Sequence, residues 1–138
     1  MIRIFRFDIS IKPHDIDVMG HINNVSYVKW MQAAAVSHSA VNGWDFDRYQ
    51  KLGAAWVARE HRIEYLQAGF ESDQLFIETW VAGLKRVSST RRYKFIREKD
   101  HSPIAIAETK WAFVDLQKHR PIKVPSVVSD CFEIVKED

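Results

Sequence analysis

Between His14 and Asn24 the chain reads His-Asp-Ile-Asp-Val-Met-Gly-His-Ile-Asn-Asn, two imidazoles and two carboxylates running into a pair of side-chain amides. Three kinds of chemistry suit such a cluster. His14, Asp15, Asp17 and His21 are ligand types for a metal such as zinc. No second cluster accompanies them, however, and the helical spacings of known zinc sites do not occur, so no metal is expected. Asn23 or Asn24 can cap a helix, its side-chain oxygen accepting from an unpaired first-turn amide, and that is the commoner use of such residues. A cap needs only one of them, and the cluster holds more polar groups than a cap requires. The third use is catalysis. First-turn amides lack backbone partners and carry the positive end of the helix dipole. A carboxylate beside them can attack a carbonyl, or take a proton from water that does, while the amides hold the oxygen that turns negative.

The elements that must position this cluster follow from periodicity. Phe5, Phe7, Ile9 and Ile11 alternate with Arg6, Asp8, Ser10 and Lys12, a strand with one buried face, which Pro13 ends. From Asn24 to Asn42 the pattern is helical. Tyr27, Met31, Ala34 and Val41 share a face, and so few polar residues interrupt it that the helix should be mostly buried. Asn42-Gly43 supplies a left-handed stop. A short helix is expected over 45–51. Strands follow over 54–66, 75–82, 90–98 and 104–115, with a turn at 69–73 and a hairpin at 99–103, and a short helix over 126–134. Consecutive strands on short turns pair antiparallel, and a buried helix needs a sheet curled about it, so the class is α+β.

Composition narrows the function. The 138 residues fit one domain, 1–138, with 46% hydrophobic and 28% charged residues, as in ordinary globular proteins. A net charge of +2 leaves no footprint for nucleic acid. Five glycines and no GxGxxG or Walker lysine argue against a phosphate-cradling loop. No apolar run spans a bilayer, and the N-terminus alternates rather than forming a leader's apolar core. The lone Cys131 forms no internal disulfide, which fits a cytoplasmic location.

Asp15-x-Asp17-x-x-Gly20-His21-x-Asn23-Asn24-x-x-Tyr27 resembles the signature of the 4-hydroxybenzoyl-CoA thioesterase-like branch of the acyl-CoA thioesterases, and that of plant acyl-ACP thioesterases. Ile63-Glu64-Tyr65 and Arg120-Pro121-Ile122-Lys123-Val124-Pro125 agree with it, and the likeness spans the chain. The resemblance implies a hot-dog fold, a curved antiparallel sheet of about five strands wrapped around a long central helix. It implies an enzyme that hydrolyses acyl-CoA to a carboxylic acid and free coenzyme A, without a further cofactor, as a homodimer or homotetramer with sites between subunits. The rival readings are an acyl-carrier-protein thioesterase and a non-catalytic acyl-CoA-binding protein. A hydratase fits less well, since Val18-Met19-Gly20 lacks the proline of that motif.

Residue roles carry over in the same way. Asp17 corresponds to the catalytic carboxylate, as nucleophile or as general base. Met19 stands where the plant enzymes have asparagine, while their histidine corresponds to His21. His21 orients water or substrate, passes a proton to the leaving thiolate, or is held within the loop. Asn24 completes the catalytic set. Asn23 and Tyr27 border the substrate, Tyr27 also serving with Trp30 as a packing group, and Asp15 braces the loop. Phosphates of coenzyme A call for cations, and Lys85, Arg86 and Arg91 around one turn are the first candidates, with His119, Arg120 and Lys123 a second patch. Arg91 and Arg92 point to opposite faces of their strand. Glu64 could assist Asp17, although a carboxylate on a sheet surface is more often solvated or paired.

Overall fold

The computed structural model of the chain describes residues 1–136; Glu137 and Asp138, the last two of the expected domain, lie outside them. The elements are β1 (Phe5–Asp8), α1 (Asn24–Val41), α2 (Phe46–Leu52), β2 (Ala54–Tyr65), β3 (Leu75–Leu84), β4 (Ser88–Arg97), β5 (Ser102–Asp115) and α3 (Ser126–Ser129), with a 3₁₀ turn at Pro13–Asp15. The strands form one antiparallel sheet in the order β1-β3-β4-β5-β2. β3, β4 and β5 follow one another through tight hairpins. β2 joins at the far side of β5 and forms one edge of the sheet.

α1 lies on the sheet through Tyr27, Trp30, Met31 and Ala34, the i, i+3, i+4, i+7 stripe of one helix face. These pack with Leu75 and Ile77 of β3, Tyr93 and Phe95 of β4, and Ile104 of β5 in one core. Alternate strand residues reach it because successive side chains leave opposite faces. Two expectations for the helix are corrected. Val41 is 54% exposed instead of joining the buried face. The helix is also not mostly buried, because one sheet face covers one stripe and leaves Val25, Gln32 and Val36 to solvent. Its ends are as expected. Asn23 is the cap, with Oδ1 accepting from Val25 N at 3.0 Å, and Gly43 takes the left-handed turn at φ 99°.

Other boundaries shift for local reasons. β1 ends at Asp8, though Ile9 N–H still bonds the Leu75 carbonyl at 3.0 Å. β5 begins before Pro103 because the β4–β5 register slips between Phe95 and Ile96, a bulge of the kind that tolerates a residue without an amide hydrogen. α3 stops at Ser129, where Cys131 N and Phe132 N turn back to carbonyls three residues earlier and tighten the last turn. The tail then docks Val124, Val128 and Phe132 on Trp44, Tyr49 and Phe113, forming a second core beside the C-terminal half of α1. Among the described residues no helix is long and apolar enough to cross a membrane.

Candidate active site

The loop before α1 is a hairpin in miniature. Ile16 and Ile22 form a lone antiparallel bridge. Asp17 N–H donates to the His21 carbonyl at 2.8 Å, and Gly20 N–H donates to the Asp17 carbonyl at 3.0 Å. The turn needs a left-handed residue at Gly20, φ 78°, which glycine adopts without steric cost. Asp15 sits beneath it at 3% exposure. Its carboxylate accepts from Lys12 N–H at 2.8 Å and from the Ser26 hydroxyl at 2.7 Å, so it ties the loop to the helix as expected of a brace. Burial pushes its pKa up, but the Lys12 amide, the Ser26 hydroxyl and the nearby His14 and Lys29 charges outweigh burial, and the net direction is down.

Asp17 is half-buried on the rim of the turn. Its Oδ1 accepts from Met19 N–H at 2.9 Å and His21 N–H at 3.2 Å, which fixes the carboxylate by its own backbone. Oδ2 makes no hydrogen bond among the described residues. The side chain borders a crevice of about 260 Å³ with His21, Asn24, Tyr27, Tyr65 and Gly69. Of the opening amides of α1, that of Val25 is taken by the cap and that of Ser26 by the Asn23 carbonyl. The Asn24 N–H has no partner among the described residues, so a helix-start donor and a carboxylate oxygen are left unused on two residues that line the same crevice.

The imidazole of His21 stands edge-on to Phe70 with centroids 5.3 Å apart and makes no hydrogen bond among the described residues. Tyr27 is 2% exposed, packed edge-to-face on Tyr65 and Phe95, and its hydroxyl pKa is pushed up to about 12 by burial, then by Tyr65 and Asp73. It is thus both a packing group and a neutral wall of the crevice. Asn23 does not border the crevice, since its side chain serves the helix cap.

Two walls were missed in the sequence. Tyr65, noted there only as part of a motif, reaches the Asn24 carbonyl at 3.4 Å with its hydroxyl. Gly69 accepts from Ile22 N–H at 2.8 Å, and a Cβ on it would meet Ile22 Cδ1 at 2.5 Å. The glycine closing the run Leu-Gln-Ala-Gly after β2 is the signal for that close approach.

The expected cations divide. Lys85 and Arg86 lie exposed in the β3–β4 turn. That is the far end of a ten-residue strand whose first residue, Leu75, packs with Tyr27. At about 3.3 Å per residue they stand on the order of 30 Å from the crevice. Arg91 does not join them. It is 5% exposed and donates to His38 and Thr79, so the expectation that it meets a phosphate at the rim is corrected. Ser89, Arg91, Tyr93 and Phe95 occupy one face of β4, and the period of two puts Arg91 inside with the aromatics. Arg92 points outward and pairs with Glu108 at 3.2 Å. Glu64 is exposed on β2, away from the crevice, and His119, Arg120 and Lys123 are exposed in the tail. Among the described residues no three His, Cys, Asp or Glu side chains gather as a metal's ligands.

Residues 11–132 match the family model described as the thioesterase-like superfamily. The chain belongs to that superfamily. Solved structures share its fold. A DHNA-CoA thioesterase from Staphylococcus aureus is 20% identical, with a TM-score of 0.81 over 93% of this chain and 84% of that one. A 1,4-dihydroxy-2-naphthoyl-CoA thioesterase from Synechocystis is 13% identical, with a TM-score of 0.84 over 93% and 94%. An acyl-ACP thioesterase from Bacteroides thetaiotaomicron is 19% identical, with a TM-score of 0.86 over 97% of this chain and 54% of that one. The architecture of this superfamily member is accordingly the hot-dog fold, with α1 as its central helix.

Proposed function

We propose that this thioesterase-superfamily chain hydrolyses acyl-CoA, releasing a carboxylic acid and free coenzyme A, with Asp17 as the reacting carboxylate. The observation that supports the reading is that Asp17, with one carboxylate oxygen unused, and Asn24, with its amide unused, line the same crevice. As nucleophile, Asp17 adds to the thioester carbonyl, the oxyanion takes the Asn24 N–H, and collapse expels the thiolate to leave a mixed anhydride that water cleaves. As general base, Asp17 takes a proton from water, which attacks the same carbon. Both routes regenerate the carboxylate and need no cofactor. His21, which lines the crevice and has no side-chain hydrogen bond among the described residues, either orients the water or protonates the leaving thiolate.

The working unit in this reading is a homodimer or a pair of dimers in the cytoplasm. Among the described residues β2 is an edge strand that pairs with β5 alone. Tyr65 at its end borders the Asp17 crevice, while Ala55 and Trp56 at its start border a second hollow with Leu84, which leads into Lys85 and Arg86. A second copy paired antiparallel along that edge brings the cations of one chain toward the carboxylate of the other, where they meet the phosphates of coenzyme A.

The test is thiol release from short, long and aromatic acyl-CoAs. Asp17→Asn is expected to lower kcat by about 10²-fold or more while the fold persists, as for loss of a reacting acid or base. Unchanged turnover in that variant overturns the assignment.

A further inference from the structure

The hollow at the other end of α1 is a cavity of about 280 Å³ that shares no residue with the Asp17 crevice. Trp44, Tyr49, Trp56, Trp111 and Phe132 wall it, and Arg91 is the charged group among its walls. Arg91 Nη1 donates to His38 Nδ1 at 2.8 Å and to Thr79 Oγ1 at 3.2 Å. Both acceptors are neutral. Accepting at Nδ1 commits His38 to carrying its proton on Nε2, which donates to the Ile2 carbonyl at 2.6 Å. Burial, opposed by that carbonyl and aided by the Arg91 charge, lowers the His38 pKa to about 4, so the ring stays uncharged near neutrality. Thr79 gives its own hydroxyl hydrogen to the Arg92 carbonyl at 2.9 Å.

No carboxylate pairs with Arg91 among the described residues, and its Nε and Nη2 make no hydrogen bonds there. Burial lowers the pKa of the group, yet a guanidinium remains cationic. With only neutral partners among the described residues, Arg91 is an uncompensated buried charge, which is costly unless an opposite charge is supplied, and a ligand can supply it. The donors left over, Nε and Nη2, form the planar fork that matches a carboxylate.

We propose that this cavity binds an organic carboxylate on an aromatic or aliphatic apolar body, with the acid group on Arg91 and the body among the tryptophans. The carboxylate belongs either to a free acid or to the far end of an acyl group. The second source rests on the thioesterase reading, in which the cavity of one chain lies toward Asp17 of another. Binding of the free acid needs no turnover and is measured equally in Asp17→Asn, so failure of either proposal is seen separately.

Titration calorimetry compares benzoate, phenylpropionate and octanoate with benzyl alcohol, phenylpropanol and octanol. At least one acid is expected to bind about tenfold or more tighter than its alcohol, and Arg91→Met to erase that difference. Methionine keeps the apolar stem and removes the buried charge, at the cost of the donor to His38 Nδ1 and Thr79 Oγ1. Should the variant not fold, the Arg91 Nε–H resonance of the wild-type chain decides, moving with the acid and not with the alcohol. A second arm follows adipoyl-CoA against hexanoyl-CoA. A rise in KM for adipoyl-CoA alone in Arg91→Met assigns the carboxylate to the acyl group, and unchanged KM beside lost acid binding assigns it to a free acid. Equal affinity for acids and alcohols, with no Arg91-dependent preference for adipoyl-CoA, overturns the proposal.

Discussion

Asp15 and Asp17 stand two residues apart and differ in how their oxygens are used. Both Asp15 oxygens accept bonds from within the fold, and Asp17 leaves one free. Asp15→Ala should therefore strand the Lys12 amide and the Ser26 hydroxyl and cost about 2–4 kcal/mol in urea unfolding. Because the folded pKa of Asp15 lies below the ordinary 3.8, its contribution is complete above that value and is lost as pH falls beneath it. His38 has a higher window. Its folded pKa of about 4 lies below the unfolded 6.5, so its contribution is complete above pH 6.5 and drains as the unfolded chain takes a proton that the folded one refuses. Wild type is expected to lose about 3 kcal/mol between those limits from this group. Urea melts of His38→Gln should show a flatter profile there, and an identical slope in both proteins would reject the account.

At the scale of elements, the crevice exists because three backbones approach closely. The Asp17–Gly20 turn, the first turn of α1 and the segment after β2 meet where Gly69 lies against Ile22 and the Tyr27 hydroxyl. Gly69→Ala puts a methyl into space that Ile22 and Tyr27 already fill. It should cost about 1–3 kcal/mol in thermal or urea unfolding and lower turnover by disturbing the crevice wall. A variant as stable and active as wild type would show that the segment yields. Much of this level was legible. The asparagine pair marked the helix start, Asn42-Gly43 marked its end, and alternating residues marked the strands, because caps and periodicity act over a few neighbours. Pro103 misled because a bulge in the β4–β5 ladder absorbs it, and a bulge is a property of two strands.

For the whole molecule, the residues proposed to bind and to react lie at opposite ends of one sheet, and the proposed dimer would bring them together. Light scattering should give a dimer or a tetramer, and a monomer would count against the reading. Mixing Asp17→Asn with the double variant Lys85→Ala, Arg86→Ala provides the sharper test. In a random dimer mixture half the pairs are mixed, each with one intact site, so activity should recover to about a quarter of wild type. No recovery would mean that carboxylate and cations serve the same chain.

The residues alone, through local spacing and the Asp15–Tyr27 motif, determined the α+β class, the helix with its cap and stop, and the loop where Asp17 stands beside a helix start. Those features depend on neighbours within a turn or two, so a linear reading reaches them. The tertiary structure decided that β2 pairs with β5, that Gly69 closes one wall of the crevice, and that Arg91 lies inside an aromatic cavity instead of on the rim. Each depends on groups distant in the chain, and burial is set by what the whole sheet covers.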